Sequence, residues 1–114
     1  MEIIETTQAG VSIILVKGKV DVMTAPALRE RILALIDSGR LRLLINGILL
    51  DYISSAGLRV LYEAATRLEA GSGRLALCAI NSNVRKIFDA VDLSADIPVF
   101  PTEAEALQHL NAES

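Results

Sequence analysis

The chain has 114 residues, 52% of them hydrophobic and 22% charged, with a formal net charge of −3. These totals fit one folded domain spanning residues 1–114 and exclude a disordered tail. The mild acidity, with basic residues scattered along the chain, argues against nucleic acid as a partner, and a single Cys and a single His exclude an internal disulfide or a Cys/His metal cluster.

The N-terminal "MEIIETTQAG" has no basic segment followed by an apolar run, and no stretch reaches membrane-spanning length. The expected location is therefore the cytoplasm, without membrane insertion. "EIIETTQ" and "VSIILVKG" read as two strands joined by "AG", an antiparallel hairpin. Val11, Ile13 and Leu15 share one face of the second strand and Ile14 and Val16 the other, which predicts a central strand covered on both sides. "TAPALRERILALIDSG" predicts a helix with Thr24 as N-cap, Pro26 in the first turn, a buried stripe of Leu28, Ile32, Leu35 and Ile36, and a stop at Gly39.

"LRLLINGILL" has strand length, with Gly47 marking an end or a bulge. "SSAGLRVLYEAATRLEAGSG" predicts the second helix, with Leu58, Leu61, Tyr62, Ala65 and Leu68 on one face and Gly71 and Gly73 breaking it. "RLALCAI" reads as a strand in which Cys78 is a buried small hydrophobe. "SNVRKIFDAV" follows as a short helix capped by Ser82, with Val84, Ile87 and Phe88 as its apolar face. "IPVF" is a short strand that Pro98 pushes to an edge, and "TEAEALQHL" is a last helix with Thr102 and Glu105 at capping-box spacing and His109 facing solvent. The order β-β-α-β-α-β-α-β-α implies an α/β fold, a mostly parallel five-stranded sheet packed with about four helices.

The stretch that calls for chemistry is "DYISSAGLRVL", where hydroxyls stand at the joint between an apolar strand and a helix. A nucleophilic serine would sit in G-x-S-x-G and need a base, and the lone His109 falls on the terminal helix, so no catalytic residue is expected. A phosphate-cradling loop would need more glycine and a lysine, although a helix N-terminus can hold an anion weakly. A serine at a helix start can also receive a phosphate, which the helix dipole tolerates and which adds about −1.5 to −2 of charge. The plainest reading is N-capping with no regulatory role.

Three blocks in order resemble the STAS domain, the fold shared by bacterial anti-sigma factor antagonists and the tails of sulphate transporters. "GKVDVMTAPALRERI" is similar to the family's G-x-h-D stretch and helix. "YISSAGLRVL" is similar to its phosphorylation loop, commonly D-S-S-G-L or D-S-T-G-L, and "LALCAINSNVRKIFDAVDL" to its third strand-helix block. The likeness covers nearly the whole chain.

The resemblance implies an anti-sigma factor antagonist rather than an enzyme. Unphosphorylated, it would bind a kinase-type anti-sigma factor. That serine kinase would then phosphorylate and release it, and a serine phosphatase would restore it. Alignment on Gly57-Leu58 carries the phosphoacceptor to Ser55, with Ser54 as the alternative because it replaces the usual Asp, and places Ala56 at the second hydroxyl position. Partner contacts are expected at Asp21, Ser54, Ser55, Ala56, Gly57, Leu58 and Arg59, with exposed backbone at Gly57. The segment "NGILLDYI" departs from the usual pattern before the loop. No cofactor and no metal are implied. The rival within the same fold is a non-switching STAS subunit of a lipid-transport ATPase complex.

Overall fold

In the computed structural model, which describes residues 1–92 and 97–112, the chain runs β1 (Glu2–Gln8), β2 (Val11–Val20), α1 (Ala25–Asp37), β3 (Arg42–Asn46), β4 (Leu50–Ile53), α2 (Ser55–Ala70), β5 (Arg74–Cys78), α3 (Ser82–Ala90), β6 (Val99–Phe100) and α4 (Glu103–Leu110). Leu93, the last residue of the third block that resembles the family, lies outside the described residues.

β1 and β2 form the expected antiparallel hairpin, with Gln8 opposite Val11 and both turn residues at positive φ (Ala9 +53°, Gly10 +79°). Such a two-residue turn matches the twist of the strands it joins. The sheet order is β1-β2-β3-β5-β6, and every pairing after the hairpin is parallel. β2 is central, as its two apolar faces require. On one side Ile14, Val16, Leu43, Ile45 and Leu77 pack under α1, α2 and α3; on the other Val11, Ile13, Leu44, Ala76 and Cys78 pack under α4. Among the described residues the short β6 pairs only with β5, in keeping with Pro98 just before it.

The run read as one strand over 41–50 is divided, which raises the strand count from five to six. Asn46 accepts a hydrogen bond at Oδ1 from the Ile48 N–H (3.0 Å), and Leu50 N–H donates to Gly47 C=O (3.0 Å), so the chain turns there. It then resumes as β4 beside the far end of β2. Ser12–Leu15 pair with Leu43–Asn46, and Gly18–Val20 pair with Leu50–Ile53 after an irregularity at Gly18, whose φ is +93°. A side chain at Gly47 would also meet Ile80 at 2.8 Å.

Helix boundaries agree with the sequence better than the caps do. Gly39 ends α1 in the left-handed region (φ +92°), with its N–H on Ile36 C=O and the Arg40 N–H on Leu35 C=O, the double bond pattern of a glycine stop. Thr24 is the N-cap residue of α1, as expected, but its side chain makes no cap hydrogen bond to the helix; it bonds back to the Asp21 turn described below. Ser82 is the first residue of α3, and Asn81 is the cap. Its Oδ1 accepts from the Val84 N–H (2.9 Å) while its Nδ2 donates to Leu50 C=O (3.0 Å), tying α3 to β4. Thr102 accepts from the Glu105 N–H (3.2 Å), but Glu103 rather than Glu105 is the acid with a partner, the Asn46 amide (2.7 Å).

Leu28 and Ile32 are fully buried, with Leu35 and Ile36 at the margin. On α2 the buried face is Gly57, Leu58, Val60, Leu61, Ala64 and Leu68, and Tyr62 is 50% exposed instead of sharing it. The face shifted because α2 packs on α1 as well as on the sheet. Cys78 is buried, and burial first, then Glu103, pushes its thiol up to about 11, which leaves it protonated and inert. The His109 ring lies at 5.0 Å and a tilt of 40° from Phe100 while its residue stays exposed.

Asn81→Ala removes a cap and a strand tie together, so it should cost about 1–2 kcal/mol in urea denaturation. Ser82→Ala should change the midpoint little.

Candidate functional site

The site forms where β2 and β4 end side by side. The Ser54 N–H donates to Val20 C=O (2.8 Å), so the turn after β2 and the start of α2 are joined at the backbone. The Ser54 hydroxyl accepts from the Gly57 N–H at 3.4 Å and its C=O accepts from the Leu58 N–H at 2.9 Å. Ser54 is therefore the N-cap of α2, in extended backbone (φ −87°, ψ 174°), through a long and weak side-chain bond. Ser55 is the first helical residue and is exposed; its hydroxyl has no hydrogen-bond partner among the described residues.

Asp21 builds the facing turn. Its Oδ1 accepts from the N–H groups of Met23 (2.9 Å) and Thr24 (3.0 Å), and the Thr24 hydroxyl oxygen accepts from the Asp21 N–H (2.9 Å). The exchange is a capping box moved one turn ahead of α1. The Thr24 backbone bond, opposed by desolvation and helped by Met23, holds the Asp21 carboxyl below its usual range. Asp21 is thus a neighbour of the serine loop through the Val20–Ser54 backbone link, and its carboxylate is occupied by its own turn.

Two of the expected contact residues point the other way. Gly57 and Leu58 are buried. A Cβ at Gly57 would lie 2.6 Å from Ile53 Cγ1 and 2.8 Å from Val20 Cγ1, so this glycine admits the close seating of α2 on β2 and β4 rather than exposing backbone to a partner. Ala56 is half-buried and Arg59 exposed. Both line a groove of about 320 Å³ between α1 and α2, with Val22, Pro26, Val60 and Glu63. Across it, Arg29 forms a two-pronged ion pair with Glu63 (2.7 and 2.8 Å) that raises the Arg29 pKa and lowers that of Glu63, each through the hydrogen bond first.

Sequence reasoning missed Val22 and Met23, which are 71% and 83% exposed in the turn after Asp21. Their signal was available: they are apolar residues that belong neither to the strand alternation nor to the helical stripe. Among the described residues no group of three His, Cys, Asp or Glu could hold a metal, and no helix is long and apolar enough to cross a membrane.

The STAS domain family model matches residues 2–106. The chain belongs to the STAS family. It is 36% identical over 92 residues to BtrV of Bordetella bronchiseptica, provisionally named an anti-sigma factor antagonist, covering 81% of this chain and 77% of that one. Its structure is similar to that of an anti-sigma factor antagonist from Mycobacterium paratuberculosis (TM-score 0.89, 25% identity, 97% of this chain and 94% of the other). It also shares the fold of the Bacillus protein SpoIIAA. The unphosphorylated form matches at TM-score 0.75 and 22% identity over 98% and 100% of the two chains. The phosphorylated form matches at the same score and identity over 96% and 100%.

Gly57→Ala should be destabilising by about 1–3 kcal/mol, since Ile53 and Val20 must both give way. Thermal melting would check it, with Ala65→Gly as a helix-propensity control. Asp21→Asn keeps an acceptor and loses the charge. The wild-type carboxylate, lowered on folding, contributes stability that is present above the unfolded carboxylate pKa and lost as pH falls through the folded one. The stability gap between wild type and Asp21→Asn should therefore be constant near neutrality and shrink below about pH 4.

Proposed function

We propose that this protein is an anti-sigma factor antagonist that works by partner switching. Unphosphorylated, it binds a kinase-type anti-sigma factor; phosphorylation at Ser55 by that kinase ends the complex, and a serine phosphatase restores it. The observation that carries this reading is the position of Ser55. It is exposed at the first position of α2, it has no partner among the described residues, and it stands two residues before Gly57-Leu58. The names of the similar proteins support the same class. The cytoplasm is the compartment such a switch requires.

The partner face consists of Asp21, Ser54, Ser55, Ala56 and Arg59, widened by Val22 and Met23 and by the groove between α1 and α2. A serine nucleophile has no support from the geometry, because His109 is an exposed residue of α4, the helix whose Ala106 and Leu110 pack on the sheet face opposite α2. A phosphate on Ser55 meets the N-terminal end of α2, where a negative charge is tolerated. The switch thus acts by charge and bulk at the contact face, without unfolding the helix, and the circular dichroism spectra of the two forms should nearly overlay.

Incubated with its kinase and ATP, the protein should carry one phosphate on Ser55 by mass spectrometry. Ser55→Ala should keep its stability, bind the partner and accept no phosphate. Ser54→Ala should still be phosphorylated and lose about 0.5–1 kcal/mol, the low end for a cap because the bond is long. Phosphate found on Ser54 alone would overturn the assignment.

A further inference from the structure

Ser55, Arg59, Glu63 and Arg67 succeed one another at four-residue steps on α2 and so form one stripe of the helix surface. The lower part of the stripe is already a ladder of opposite charges. Arg67 approaches Glu63 at 3.7 Å, and Glu63 is held from α1 by Arg29 at 2.7 and 2.8 Å. Arg59 is exposed and has no carboxylate partner among the described residues, because its neighbour Glu63 is turned to Arg29. Side chains on a helix lean toward its N-terminus, so the turn that Ser55 begins is within reach of the Arg59 side chain.

We propose that Arg59 is the intramolecular clamp for a phosphate on Ser55. The proposal rests on the reading of Ser55 as the phosphoacceptor and says how the modified state is held. An acid one turn N-terminal to a base is the favourable order on a helix, and guanidinium matches phosphate with paired N–H donors. The modified stripe becomes a complete alternation of negative and positive groups down α2. Arg59 also lines the groove between α1 and α2. Drawn to the phosphate, it leaves that groove, so phosphorylation adds an anion to the partner face and withdraws a cation from it. Asp21 is engaged by the N–H groups of its turn, and Arg29 and Glu63 by each other, while Asp51 on β4 is exposed, has no partner among the described residues and carries the same sign as the phosphate, so it offers no clamp. Lys19 stands on β2 opposite Tyr52, off the helix stripe.

The test installs phosphoserine at position 55 during synthesis of the full chain and follows its second ionisation by ³¹P NMR in wild type, Arg59→Gln, Arg59→Lys and Lys19→Gln. A phosphoserine dianion forms with a pKa near about 6, and a bound cation lowers it. Wild type, Arg59→Lys and Lys19→Gln should titrate about 0.5–1 pH unit below Arg59→Gln. Unmodified Arg59→Gln should melt with wild type, showing that the fold is intact. Equal phosphate titrations in wild type and Arg59→Gln, or a shift that follows Lys19 instead, would overturn the clamp. The measurement needs no kinase. A failure of the kinase to modify Ser55 would therefore count against the functional reading alone, and the titration would still decide the clamp.

Discussion

The N-terminus of α2 rests on two apolar side chains, Val20 and Ile53, with only the hydrogen of Gly57 between them and the helix backbone. That close seating is the constraint on which the site depends. It fixes the height of the first turn of α2 above the ends of β2 and β4. With Gly57 and Leu58 turned into the core, helical geometry leaves Ser55 and Arg59 facing out. The glycine of the serine motif is a packing residue here, and the exposure of its neighbours is the consequence.

The second requirement is that β2 serve two parallel partners in succession. β3 pairs with its first half and β4 with its last three residues, and the turn at Asn46–Gly47 makes the step between them. β4 thereby brings Ser54 to Val20, and Asp21 follows Val20 directly. Two segments more than thirty residues apart in sequence are joined by one backbone hydrogen bond. Each is then finished by its own local cap, Asp21 with Thr24 on one side and Ser54 with Gly57 on the other. Local capping sets the shape of both turns, strongly at Asp21 and weakly at Ser54, and the backbone bond between Val20 and Ser54 holds the two together.

The elements themselves were legible because they follow from short-range physics. Alternation of apolar residues identified β2 as central, glycine at a positive φ ended α1, and the proline before Val99 placed β6 at an edge. Ser54 as cap and Ser55 as first helical residue were also legible, since capping depends on residues within one turn. The N-cap of α1 fell on Thr24 as read, though without a side-chain bond to the helix, and the cap of α3 was misread by one residue. In α3 the Ser82 hydroxyl stood beside a better acceptor, Asn81, which gains by also reaching Leu50 C=O. That second bond is tertiary and leaves no mark in local sequence.

The sequence by itself determined which segments are strand or helix, where most of them end, and that a serine stands exposed at the head of a helix. These depend on periodicity and on contacts within a few residues. Only the tertiary structure decided that the strand run splits at Gly47, that Tyr62 leaves the core, that Gly57 and Leu58 face inward, and that Glu63 is taken by Arg29 and so leaves Arg59 without a carboxylate. Each of these outcomes is a competition for a neighbour that is distant in the chain. A strand must find its partner, a helix face must divide itself between sheet and helix, and a carboxylate must choose among three arginines. Such choices are settled by packing in three dimensions, where the winning contact comes from a residue the local pattern cannot name.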